Sequence, residues 1–244
     1  MIITRTPLRM SFVGGGSDIE TYYREHGGSV ISTTIDQYVY LNVHRAFNNN
    51  VRVAYSRVEE VASFSDVDHP LVREVAKYFN IDNGLEVTSI ADIPAKGTGL
   101  GSSSSFTVGL VQAFATQMGQ NIDKLRLAEI ACQIEIDECG QPIGKQDQYA
   151  AALGGFNIFH FNSDGTVDFK PILLGDYERH MLRSWMMVFY TGGTRSASKI
   201  LAEQSKNSEK SSHRSSLDQM VKLVDPFSDT LIKADPLNAG RLLN

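Results

Sequence analysis

The chain has 244 residues, 42% apolar and 21% charged, with a net charge of −5 and a pI near 5.7. That length holds one large domain or two modest ones, each with a real core, and the composition is that of a globular protein. The acidic balance and the absence of a basic stripe argue against nucleic acid as a partner. No apolar run reaches membrane-spanning length and the N-terminus MIITRTPLRM has no apolar h-region, so no membrane role is expected. Small anionic ligands stay open, because local backbone dipoles bind them at any net charge. Cys132 and Cys139 fall in one expected helix, roughly 10 Å apart, too far for a disulfide. A reduced, cytoplasmic protein is expected.

In chain order, residues 29–46 are rich in β-branched residues and Tyr and read as a long strand or a bent pair. Asn48-Asn49-Asn50 marks a turn, and VRVAYS returns as the next strand. Residues 70–79 read as a helix with Pro70 in its first turn. LEVTSIADI is a strand that leads into PAKGTGLGSSSS at 94–105. Residues 102–118 are apolar nearly all round and predict a core helix. Asp123 caps a helix over 124–138, and a short helix over 145–153 ends at Gly154-Gly155. FNIFHF and VDFKPI form a hairpin around Asp164-Gly165. Trp185–Tyr190 reads as a buried strand, followed by TGGTRSAS and a helix from about 195. The polar segment 203–216 is a solvated helix end or a loop. The element order indicates mixed α/β in two parts, with a boundary near 175–183.

Three clusters carry candidate chemistry. The glycines of 94–105 let backbone turn tightly, and the first turn of the following helix offers unpaired N–H groups and a positive dipole end. Together they make a phosphate cradle, in which Ser102 to Ser105 can cap, donate to phosphate oxygens or ligate Mg²⁺, and Lys96 can add charge. A plain glycine-rich turn with an N-cap is the alternative. Neither GxxxxGK[ST] nor GxGxxG is present. In the second cluster, Arg9 and Asp18 flank Gly14-Gly15-Gly16, which on its own suits a tight turn with a surface ion pair. In the third, Glu135 shares a helix face with Leu127 and Ala131 and needs a partner such as a metal ion, or an edge position that reaches water. Asp147, after Pro142 and Gly144, could cap the 145–153 helix.

Taken together, the clusters resemble the GHMP kinase superfamily. Pro94, Gly99-Leu100-Gly101 and Ser102-Ser103-Ser104 are similar to its motif Pro-x-x-x-Gly-Leu-Gly-Ser-Ser. Pro7-x-Arg9 through Gly14-Gly15-Gly16-Ser17-Asp18 is similar to the sugar-kinase motif that ends Gly-Glu-His-Thr-Asp, with Gly15 and Gly16 in place of Glu and His. Gly144-Lys145-Gln146-Asp147-Gln148 resembles the galactokinase stretch Gly-Ile-Met-Asp-Gln. GGGSD, GKQDQY and TGGTRSAS look most like heptose 7-phosphate kinases, with L-fucose kinases as close relatives.

The resemblance implies an α+β, two-domain fold: a ribosomal-protein-S5-like N-terminal domain over 1–178 and the start of a ferredoxin-like C-terminal domain over 179–244. The family's third motif, Gly-x-Gly-Gly-Gly, is not found before Asn244, so the second domain is expected to be incomplete. It further implies ATP and Mg²⁺ as cofactors. Pro94, Lys96, Gly97, Gly99, Leu100, Gly101, Ser102, Ser103 and Ser104 would hold ATP, with Ser103 and Glu135 on Mg²⁺. Asp147 would act as base and Arg9 would neutralise charge at the transferring group. Gly15, Gly16, Ser17, Asp18 and Arg195 would bind the acceptor, a small sugar or sugar phosphate. A free-sugar kinase and a non-catalytic ligand-binding regulator are the alternatives; the intact Glu135 and Asp147 weigh against the regulator.

Overall fold

The computed structural model describes residues 1–94, 98–189 and 211–244. The chain divides into two compact units that interleave in sequence. The first holds Met1–Arg9, Ile35–Gln141 and Asp147–Gly154; the second holds Met10–Thr34, Pro142–Gln146 and Gly155–Asn244. Two strands, β1 (Ile2–Val13) and β2 (Gly28–Arg45), contribute residues to both.

In the first unit, β3 (Val51–Ala54) and β4 (Val58–Val61) form an antiparallel hairpin. β5 (Leu85–Ala91) runs parallel to β3 and antiparallel to residues 39–45 of β2. The period-2 pattern places Val39, Leu41 and Val43 of β2, Val51 and Val53 of β3, and Leu85 and Val87 of β5 in the core. Helices α2 (Pro70–Tyr78), α3 (Ser102–Gln117), α4 (Lys124–Cys132) and α5 (Gln146–Leu153) supply the rest. Asp123 caps α4 by accepting from the Arg126 N–H, as its residue type predicts. Buried residues cover α3 almost all round, and Phe114 meets Phe64 and Phe79 at ring-centroid distances of 5.7 and 6.4 Å. Packed over most of its surface, α3 gives its first turn a fixed frame.

In the second unit, residues 28–33 of β2 pair antiparallel with β6 (Phe156–Phe161), which pairs in turn with β7 (Val167–Pro171). Helices α1 (Glu20–His26), α6 (Asp176–Trp185), α7 (Ser211–Lys222), α8 (Val224–Ile232) and α9 (Pro236–Leu242) complete it. Its core gathers Val13, Ile31, Ile158, Ile172, Phe227 and Leu231. Phe12 packs on it, 5.5 Å from Phe156 and 5.6 Å from Phe227.

The long strand, the 70–79 and 102–118 helices, LEVTSIADI and the 156–171 hairpin all stand as the sequence predicts. One expectation is corrected. Trp185 ends helix α6, and Met186 to Phe189 have no regular structure. Met187, Val188 and Phe189 are 79%, 74% and 76% exposed. An apolar run becomes a buried strand only where a sheet edge accepts its backbone, and no described strand pairs with this one. Tyr190, TGGTRSAS and the helix expected from 195 lie outside the described residues.

Candidate active site

The first unit organises the glycine–serine turn. Gly99 and Gly101 take left-handed φ values of 70° and 74°. At Gly101 a Cβ would also sit 3.1 Å from Arg9 Cγ and 3.3 Å from Asp147 Oδ2, so both space and conformation call for glycine. The first ladder bond of α3 runs from the Ser105 N–H to the Gly101 carbonyl, so the N–H groups of the helix's first turn point outward from its N-terminus. Thr98 Oγ1 is buried with no partner among the described residues. Pro94 is exposed, Leu100 accepts from the Arg9 N–H through its carbonyl, and Lys96 and Gly97 lie outside the described residues.

Glu135 lies in a π-helical turn, Gln133–Glu138, that continues α4; the Cys139 N–H reaches the Ile134 carbonyl in an i→i+5 bond. Such turns recur at functional sites. Glu135 is 0% exposed, so the edge position that reaches water is ruled out. Oε1 accepts from Ser103 Oγ at 2.7 Å and Oε2 from Gln148 Nε2 at 2.6 Å, and Ser104 also bonds the carboxylate. Burial pushes the Glu135 carboxyl up, against the downward pull of those three neutral donors. Among the described residues no group of three or more His, Cys, Asp or Glu forms a metal cage. Mg²⁺ asks for less, one or two protein oxygens beside phosphates, and a buried carboxylate bonded to neutral donors together with the Ser103 hydroxyl fits it.

Asp147 does not cap its helix, α5 (Gln146–Leu153). Its Oδ1 is gripped by Arg9 through Nε at 2.7 Å and Nη2 at 2.6 Å, with the two side chains 13% and 24% exposed. The third arm, Nη1, donates to the Gly99 carbonyl at 2.7 Å. Arg9 therefore fixes both Asp147 and the glycine turn. Oδ2 of Asp147 takes no part in these bonds and faces Gly101.

In the second unit, Ser17 N–H donates to the Gly14 carbonyl, closing the GGG turn. Asp18 is 2% exposed and turned inward: Oδ1 accepts from the Gly16 N–H and Gln146 Nε2, and Oδ2 from the Gln146 N–H. The surface ion pair of Arg9 with Asp18 is not what forms, since Arg9 is spent on Asp147 and Asp18 on Gln146. A Cβ at Gly144 would lie 1.9 Å from Asp18 Oδ2, so only glycine leaves room for this grip. Ser17 is fully buried and bonded to Ser29; Gly16 is buried, and Gly15 is partly exposed. Arg195 lies outside the described residues.

Sequence reasoning missed Gln148, which is buried at 0% and bonded to Glu135. Its signal was present: a polar amide thirteen residues from Glu135, beside alanines that mark a buried face.

Residues 70–155 match the family model of the GHMP kinases N terminal domain. The chain is 29% identical over 211 residues to D-glycero-alpha-D-manno-heptose 7-phosphate kinase of Campylobacter jejuni, covering 82% of this chain and 62% of that protein. It is 25% identical over 189 residues to galactokinase of Thermosipho africanus, covering 74% and 52%. The chain thus spans about half to three-fifths of the length of these curated relatives. A crystal structure of a D-glycero-D-manno-heptose 1-phosphate kinase from Bacteroides thetaiotaomicron superposes with a TM-score of 0.83 at 24% identity, covering 99% of this chain and 76% of that one. Among the described residues no helix is long and apolar enough to cross a membrane.

Proposed function

Because this chain carries a GHMP kinase N-terminal domain, we propose that it transfers the γ-phosphoryl group of ATP to a hydroxyl of a sugar or sugar phosphate. The favoured acceptor is D-glycero-D-manno-heptose 7-phosphate, giving the 1,7-bisphosphate for nucleotide-activated heptose synthesis. The likeness to the Campylobacter jejuni protein supports this choice. The observation that carries the reading is the first unit's own geometry: the N-terminus of α3 follows the left-handed Gly99–Gly101 turn beside the Ser103–Glu135 pair, and Arg9 holds Asp147 against the same turn. Under this reading residues 1–178 form the N-terminal domain and 179–244 belong to the C-terminal one.

Phosphoryl transfer needs positioning and charge stabilisation more than covalent chemistry. Backbone N–H groups of Ser102 to Ser104 and the left-handed turn at Gly99–Gly101 would bind phosphate oxygens, with Pro94, Lys96, Gly97 and Leu100 shaping the loop. Ser103 and Glu135 would hold Mg²⁺, which when bound supplies charge neutralisation for the phosphates. Asp147 would accept the proton of the acceptor hydroxyl at Oδ2 as the hydroxyl oxygen attacks the γ-phosphorus and the bond to ADP breaks. Arg9 holds the other oxygen still and adds positive charge. In the second unit, Asp18 braces the turn of Gly15, Gly16 and Ser17 that we assign to the acceptor; contact through Asp18 itself requires Gln146 to yield an oxygen. Arg195 is our candidate for the acceptor's phosphate.

The test is ³¹P NMR of Mg·ATP mixed with heptose 7-phosphate, L-fucose or galactose. A new anomeric phosphate with the heptose alone supports the reading. Product with L-fucose or galactose alone would replace the acceptor. Nucleotide binding with no product from any acceptor would favour a regulator.

A further inference from the structure

We propose that Gln148 is a third protein group of the cation site: its amide nitrogen orients Glu135, and its carbonyl oxygen accepts from a water bound to the cation. The inference deepens the reading that Ser103 and Glu135 hold a divalent cation, and rests on it.

The argument is one of donors and acceptors. Gln148 is 0% exposed, and its amide lies 2.6 Å from Glu135 Oε2. A carboxylate that holds a cation is ionised and only accepts, so the amide presents its nitrogen there, as in the structure. That fixes the carbonyl oxygen on the opposite branch of the same group, where it is buried with no donor among the described residues. A folded protein seldom leaves such an oxygen unsatisfied without a reason. The bonded partners of Glu135 are the hydroxyls of Ser103 and Ser104 and this amide, all of them neutral. A carboxylate bonded to neutral donors and a carbonyl lacking a donor among the described residues, on two bonded side chains, are jointly satisfied by one hydrated cation. Mg²⁺ keeps several waters when protein supplies only one or two ligands, and those waters donate. Groups in this position orient the direct ligands, and their loss costs about 10–100-fold in metal affinity.

The experiment is Mn²⁺ binding by EPR to the nucleotide-loaded protein, for wild type, Gln148→Met and Glu135→Gln. Methionine matches the volume of glutamine and offers neither the donor nor a strong acceptor. We expect Gln148→Met to weaken Mn²⁺ by about 10–100-fold with nucleotide still bound, and Glu135→Gln to weaken it further. Wild-type Mn²⁺ affinity in Gln148→Met, with binding lost in Glu135→Gln, overturns the proposal alone. Unchanged affinity in both overturns the cation site beneath it as well. A second readout needs no variant: in protein labelled at the glutamine side-chain carbonyl with ¹³C, one carbonyl signal should shift when Mg²⁺ joins a non-hydrolysable ATP analogue. If no signal moves, the proposal fails.

Discussion

Replacing Glu135 by glutamine should raise the stability of the cation-free protein while it removes cation binding. Glu135 is fully buried, and its partners Ser103, Ser104 and Gln148 are neutral donors. Burial holds the carboxyl above its ordinary value of 4.5. The folded chain therefore binds this proton more tightly than the unfolded chain does. Stability is then lost as pH rises through 4.5 toward the folded value, because the unfolded state ionises first. Glutamine has no such proton. The new glutamine can place its carbonyl where Oε2 lies, accepting from Gln148 Nε2, and its amide toward the Ser103 hydroxyl, which can accept. Exchanging an uncompensated buried charge for a neutral, hydrogen-bonded amide is worth about 1–4 kcal/mol. At about 2–4 °C per kcal/mol for a chain of this size, Tm should rise by several degrees at pH 8 in EDTA. At pH 5 the two proteins should lie closer together. The assay is thermal unfolding followed by circular dichroism at both pH values. A Glu135→Gln protein less stable than wild type at pH 8 would show that the hydrogen bonds outweigh desolvation, and would refute the idea of a carboxylate built for a cation.

Gly144→Ala should drive Asp18 from its place, since the new Cβ would overlap Oδ2 and Cγ. Losing those charged hydrogen bonds costs about 3 kcal/mol and lowers Tm by about 6–12 °C; an unchanged melting curve would contradict the packing. Gly101→Ala meets both a left-handed φ of 74° and crowding against Arg9 and Asp147. It should cost about 1–2 kcal/mol of stability and up to about 10²-fold in turnover, checked by melting and steady-state kinetics, with wild-type turnover counting against the geometry. The Cys139 thiol is pushed up to about 11, chiefly by burial, so iodoacetamide should label it slowly at pH 8 and quickly only near that value. Fast labelling at pH 8, read by mass spectrometry of the Cys139 peptide, would overturn that expectation.

Elements that carry their own period were readable from sequence. The β-branched run of β2, the apolar α3 and the Asp123 cap each declare themselves within a dozen or so residues. The short helix α1 did not, because its N-cap is Ile19 and no side chain caps it. The π-helical turn was invisible for a different reason: moving a hydrogen bond by one residue leaves the apolar pattern almost unchanged. Within the candidate site, the residue types were legible but the pairings were not. Arg9 chose Asp147, 138 residues away, over Asp18, nine residues away. Asp18 chose Gln146, a motif residue with no role assigned from sequence. Such choices are made by tertiary closure, where a buried charge takes the partner the fold brings to it.

The measurement that tests the central claim most directly is ADP release from Mg·ATP, with and without heptose 7-phosphate, in wild type and in Asp147→Asn. The account predicts acceptor-dependent release in wild type, lower by about 10²–10⁴-fold in the variant, with nucleotide affinity retained. Equal turnover in the two proteins would remove Asp147 from the reaction, and nucleotide binding with no acceptor-dependent release in wild type would contradict the kinase assignment itself.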